Sequence, residues 1–147
     1  MNTVSGHCLC GAVRITVAER PEKLGVCHCS SCRRWNGSAS VAFGVSEDAL
    51  TIEGAENVAA YRSSDWAERC FCRICGSSLW YHLTIPDEVL THFIAAGLLD
   101  DLSGMTIEHE LFYDKKPDAI TFACDSRKTT EAEFWAAVGS TDEGEVQ

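Results

Sequence analysis

Apolar and polar residues alternate along much of the chain with the period of a β-strand. In "CGAVRITVA", Val13, Ile15 and Val17 interleave with Ala12, Arg14 and Thr16, the pattern of a strand with one buried face. "SASVAFGVS" repeats it with Val41, Phe43 and Val45. "ALTIEG" and "VAAYRS" predict two more short strands, and "SSLWYHLTI" another that closes in the turn "PDE". "THFIAAGLL" and "TIEHELFY" continue the series, with "DKKPDA" as a further turn. Short strands separated by turn signals indicate a mainly β domain. One helix is predicted near the end, where Thr130 and Glu133 form a capping box ahead of Phe134, Trp135, Ala137 and Val138. The expected organisation is a single domain over residues 1–138 and a polar tail, residues 139–147, too poor in apolar residues to pack.

The composition narrows the setting. A chain of 147 residues that is 46% hydrophobic can bury one core. No window approaches the roughly 20 apolar residues of a membrane span. The start "MNTVSGHCLCGAVR" has neither a basic segment nor an apolar run, so no signal peptide is read and a cytoplasmic location is expected. Twelve basic against 22 acidic residues leave a net charge of −10, which repels a phosphate backbone and argues against a nucleic-acid partner.

Nine cysteines change the picture. An odd number in a reducing compartment fits a disulfide framework poorly. Eight of the nine fall in three clusters, "CLC", "CHCSSC" and "CFCRIC". Residues two apart on a strand share a face, so Cys8 and Cys10 can converge on one ion. The turn "CRIC" can bring Cys72 and Cys75 together in the same way. Gly11 follows the first pair and Gly76 the second, and glycine tolerates the positive φ of a tight metal-binding turn. Four thiolates make the closed tetrahedral set of a structural zinc.

Cys27, Cys29 and Cys32 have no following glycine and no evident fourth ligand, which describes a catalytic zinc with an open position. Two alternatives stay open here. An iron–sulfur cluster would recruit Cys70 or Cys124, and a second closed site would be completed by Cys70, His28 or His7. On an extended stretch His28 points away from its cysteine neighbours, as a pocket or surface residue. Cys124 follows Phe122 and Ala123 and reads as core. Arg33 and Arg34, directly after Cys32, form a basic pair that can hold a substrate carboxylate.

"GHCLCGAV", "VCHCSSCRRWNG", "RCFCRICGSSLW" and "AGLLDD" together resemble landmarks of the glutathione-dependent formaldehyde-activating enzyme family, over about residues 5–112. The resemblance implies a β-tent of small antiparallel sheets pinned by zinc. It implies the same partition of ligands, with Cys8, Cys10, Cys72 and Cys75 structural and Cys27, Cys29 and Cys32 catalytic. It further implies a carbon–sulfur lyase that adds glutathione, or a related small thiol, to formaldehyde to give S-hydroxymethylglutathione. The expected zincs are one structural and one catalytic, the second more easily lost. Two other readings compete: a non-catalytic zinc domain that binds a protein partner, and a redox enzyme like a methionine-sulfoxide reductase. The latter needs a reactive cysteine beyond the metal set, and only Cys70 and Cys124 are spare.

Overall fold

The computed structural model describes residues 2–85 and 90–139. The turn expected at "PDE" and the tail beyond Gly139 lie outside these residues. A three-stranded antiparallel sheet is built from β1 (Val4–His7), β2 (Arg14–Val17) and β5 (Leu50–Glu53), in that order. The remaining strands are β3 (Lys23–Cys27), β4 (Ser40–Ser46), β6 (Val58–Arg62), β7 (Ala67–Cys72), β8 (Ser78–Leu83), β9 (Thr91–Ala95), β10 (Thr106–Leu111) and β11 (Arg127–Thr129). They form one eight-stranded sheet ordered β11-β10-β3-β4-β9-β8-β7-β6. Pairing is antiparallel from β3 to β6, whereas β10 runs parallel to both β3 and β11. The helices are α1 (Ser30–Asn36) and α2 (Glu131–Val138).

The mainly β architecture agrees with the sequence pattern, and seven of the strands fall in the stretches that predicted them. The capping box of α2 is formed: Glu133 N–H donates to Thr130 Oγ1 at 3.2 Å, and Thr130 N–H donates to Glu133 Oε2 at 3.0 Å. Helix α1 was not anticipated. It has seven residues, and its N-cap is Cys29, whose sulfur accepts from the Cys32 N–H at 3.3 Å. A thiol is outside the usual set of capping residues, so the sequence carries no ordinary start signal there.

The core lies between the two sheets. Val4, Ile15 and Val17 of the small sheet meet Leu24, Phe43, Val45, Trp80 and Ile94 of the large one. Along the large sheet, Phe43 pairs with Ile94 and Ile94 with Trp80, so this face is the buried one. Its opposite face carries the alternate residues: Cys27, Ala42, Gly44, Phe93, Tyr81 and Arg69. That second face positions the functional site. A smaller apolar cluster sits over it, in which Cys29 and Cys32 pack with Phe112 and with Trp135 of α2.

Gly6 of β1 bridges to Leu99, in the segment that follows β9. A β-carbon there would stand 2.2 Å from the Leu98 carbonyl oxygen, a backbone atom with no freedom to move aside. Gly6→Ala is therefore expected to destabilise the fold by at least about 1–3 kcal/mol, the range for overpacking a rigid site. A denaturant melt checks this.

Candidate metal centre

Cys8, Cys10, Cys72 and Cys75 converge from the loop after β1 and from the end of β7 with its following turn. All four sulfurs lie within 4.8 Å of one another, with Cys8 to Cys10 at 3.7 Å and Cys10 to Cys72 at 3.8 Å. A tetrahedron with metal–sulfur bonds of about 2.3 Å has edges of about 3.8 Å, so the donors fit one ion. A disulfide requires about 2.05 Å. Gly11 and Gly76 both adopt φ of +79°, as the tight turns demand. Their N–H groups donate back to the carbonyls of Cys8 and Cys72, at 3.0 and 2.8 Å. The sulfurs also receive hydrogen bonds: Val13 N–H donates to Cys8 Sγ at 3.3 Å, and Ser77 Oγ stands 3.2 Å from Cys75 Sγ. Hydrogen bonding from the Ser77 side chain and then its backbone holds the Cys75 thiol down to about 5. Cys8 and Cys72 are wholly buried, which joins this centre to the main core.

The second cluster is built differently. Cys27 ends β3, Cys29 caps α1 and Cys32 lies in its first turn, and their sulfurs fall within 4.8 Å of one another. Three thiols this close cannot all ionise without a cation. Hydrogen bonds from Cys27 and then Cys29, with the charge of Arg69 added, hold the Cys32 thiol down to about 3. Contacts with Cys29 and then Cys32 push Cys27 well above the usual thiol range. A dication would relieve this conflict, so the trio suits a metal ion with one coordination position left free.

These cysteines form the floor of a cavity of about 310 Å³. Its walls are Trp66, Leu83, Phe93, Leu111, Phe112 and Phe134, with Arg69 and Tyr81 beside the sulfurs. Phe112 is the one described non-glycine residue with positive φ, +54°. Holding a buried aromatic there costs about 1–3 kcal/mol, a strain concentrated in the cavity wall. The fold thus sets an open three-sulfur site against the closed four-sulfur one.

Arg69 is the functional candidate that sequence inspection missed. It is 8% exposed, and its Nη1 and Nη2 lie 3.8 and 3.7 Å from Cys32 Sγ. Its guanidinium also stands 5.6 Å from the centre of the Tyr81 ring. The available signal was position: Arg69 is three residues before Cys72 on a strand, facing opposite to it. Arg33 and Arg34 are exposed on α1 and line none of the described cavities.

His28 corrects an expectation. It is neither a pocket nor a surface residue but 2% exposed, its Nε2 2.8 Å from Glu110 Oε1. Ser126 Oγ donates to the other Glu110 oxygen at 2.5 Å. Burial pushes the Glu110 carboxyl up, but hydrogen bonds from Ser126 and His28 outweigh it and leave the group below its ordinary value. This network anchors β10 to the junction between β3 and α1, where His28 lies between Cys27 and Cys29. Cys124 is half-buried rather than core, whereas Cys70 is buried. Cys70 lies on the core face with Glu68 and His82, a third grouping of ligand-type side chains away from the cavity.

Among the described residues no helix is long and apolar enough to cross a membrane. The sequence profile described as glutathione-dependent formaldehyde-activating enzyme matches residues 3–115. A Schizosaccharomyces pombe protein, named only as an uncharacterized lyase, is 36% identical over 123 residues, covering 84% of this chain and 88% of its own. A Halomonas elongata protein with the provisional name glutathione-dependent formaldehyde-activating enzyme is 34% identical over 126 residues, covering 80% of this chain and 79% of its own. A Rhodobacter sphaeroides crystal structure is similar with a TM-score of 0.53 and 27% identity, over 67% of this chain and 89% of that one. With a profile spanning most of its length and two relatives more than 30% identical over most of both chains, the chain belongs to the glutathione-dependent formaldehyde-activating enzyme family.

Proposed function

We propose that the protein is a zinc-dependent carbon–sulfur lyase that joins a small thiol, with glutathione the leading candidate, to formaldehyde at the Cys27, Cys29 and Cys32 centre. The observation that carries this reading is the contrast between two cysteine sites, one closed by four sulfurs and one open to a cavity. The name of the Halomonas elongata relative points to the same substrates. Cys8, Cys10, Cys72 and Cys75 would hold a structural zinc, and Cys27, Cys29 and Cys32 a second and more labile one. Zinc bound at the open site would supply a means of keeping a substrate thiol deprotonated at neutral pH.

The protein's own groups account for the rest. Three cysteine thiolates with a dication leave one net negative charge, and the Arg69 guanidinium beside Cys32 offsets it. Burial pushes the Tyr81 hydroxyl far above its ordinary value, so it keeps its proton and can donate to a carbonyl oxygen in the cavity. Cys70, buried on the other face and pushed up to about 11 by burial, makes a poor redox nucleophile, which weakens the sulfoxide-reductase reading.

Arg33 and Arg34, exposed on α1, are assigned one carboxylate of the thiol substrate. Arg33→Glu with Arg34→Glu should weaken binding of glutathione about tenfold or more and leave a neutral thiol such as 2-mercaptoethanol little affected. The mutant's residual binding should also depend less on salt, since screened attraction is lost. Calorimetry with both thiols tests this, and equal losses would remove the assignment. No binding of any thiol to the zinc-loaded wild type would remove the proposed function itself.

A further inference from the structure

We infer that the carbonyl partner is not limited to formaldehyde, and that the site joins its thiol to aldehydes carrying an apolar group, aromatic or branched. This rests on the proposed function above. Formaldehyde has two heavy atoms and needs about the 30 Å³ that one water occupies in the liquid. The cavity above the three cysteines is about ten times larger, at about 310 Å³. A protein cavity of about 150 Å³ accommodates benzene, so this one has room for one to two rings.

The walls determine what can fill it. Trp66, Leu83, Phe93, Leu111, Phe112 and Phe134 present apolar surface, and the polar lining is confined to Ser31, Ser63, Ser64, Tyr81, the cysteines and Arg69. Arg69 is the one cation in the lining and is already placed on Cys32. The two carboxylates and the ammonium of glutathione would find no partners there, and burying unpaired charge is strongly unfavourable. The thiol's charged arms therefore belong elsewhere.

A second cavity of about 200 Å³ provides a place for the arm that Arg33 and Arg34, which do not line it, leave unheld. It shares Cys27, Tyr81, Phe93 and Leu111 with the first, and beside apolar residues of β3 and β4 its lining adds the polar groups Lys23, Ser40, Glu108 and His109, with Gly25 and Gly44 on the sheet surface. A β-carbon at Gly25 would come within 2.7 Å of the His109 ring, so the absence of a side chain is what lets that ring lie against the sheet as a wall of this cavity. The two chambers meet at Cys27. Polar arms of a thiol on one side and an apolar carbonyl substituent on the other place the reacting atoms at the sulfur cluster between them.

The chemistry balances without an added reagent. The thiolate sulfur forms one C–S bond to the carbonyl carbon, and the π pair of the carbonyl moves to oxygen. The proton released by the thiol ends on that oxygen. The product is a hemithioacetal, with no net oxidation or reduction.

The test compares phenylacetaldehyde with formaldehyde as partners of glutathione, using the zinc-loaded full chain and subtracting the uncatalysed rate measured by NMR exchange. The inference predicts kcat/KM for phenylacetaldehyde at least about tenfold above that for formaldehyde, the scale on which an apolar pocket discriminates. Leu83→Trp, which fills the chamber, should reverse the preference. The wild-type comparison decides the matter even if that variant does not fold. Acceleration of formaldehyde alone, with phenylacetaldehyde at the background rate, would overturn the inference and leave the proposed function standing. Acceleration of neither, with any thiol, would overturn both.

Discussion

Cys72→Ser is expected to abolish the folded state, whereas Cys29→Ser should yield a folded domain. Cys72 is wholly buried within the main core and is one of four sulfurs in a closed set. Structural zinc in small domains contributes on the order of 10–16 kcal/mol of apparent binding free energy, about as much as the whole stability of a typical domain. Cys29 belongs to the satellite cluster over the outer sheet face and takes no part in the contact between the sheets. Serine is a preferred N-cap residue, so the replacement retains a side-chain acceptor at the start of α1. Circular dichroism and denaturant melts of the two variants check the contrast. Equal unfolding would make both sites structural and favour a non-catalytic zinc domain.

Arg69→Met should reduce kcat/KM by about 10²–10³-fold while the protein still folds. That is the scale for removing one preorganised electrostatic group from a water-poor site. The methionine keeps much of the side-chain volume against Tyr81 but leaves the charge of Cys32 without its cation. Arg69→Lys should recover part of the rate, since it restores charge but not the two-pronged contact. Steady-state kinetics paired with a thermal melt measures this. Unchanged kcat/KM in Arg69→Met would remove the electrostatic role.

The two cysteine groupings were legible from spacing alone, because ligands held by a short turn or one strand face must be close in sequence. Gly11 and Gly76 marked the closed site for the same local reason, and both have positive φ. The cavity was not legible. Its walls come from β8, β9, β10, α2 and the loop before β7, and nothing local joins Leu83 to Phe134. Arg69 was hidden likewise, since its contact with Cys32 spans 37 residues. Proximity in sequence instead drew attention to Arg33 and Arg34, which α1 carries on its exposed side. Strand β3 escaped notice because only Leu24 and Val26 carry its apolar alternation, and β7 because Arg69 and Cys70 blur its pattern. His28 misled because its partner Glu110 lies 82 residues away on β10.

Metal content per chain tests the central claim most directly, measured by elemental analysis before and after mild chelation, in wild type and in Cys29→Ser. The account predicts two zinc ions per chain in the wild type, one of them released first by the chelator. It predicts one zinc in Cys29→Ser, resistant to the same chelation, in a protein that remains folded. Iron with inorganic sulfide, or a single zinc whose amount is unaffected by Cys29→Ser, would contradict it.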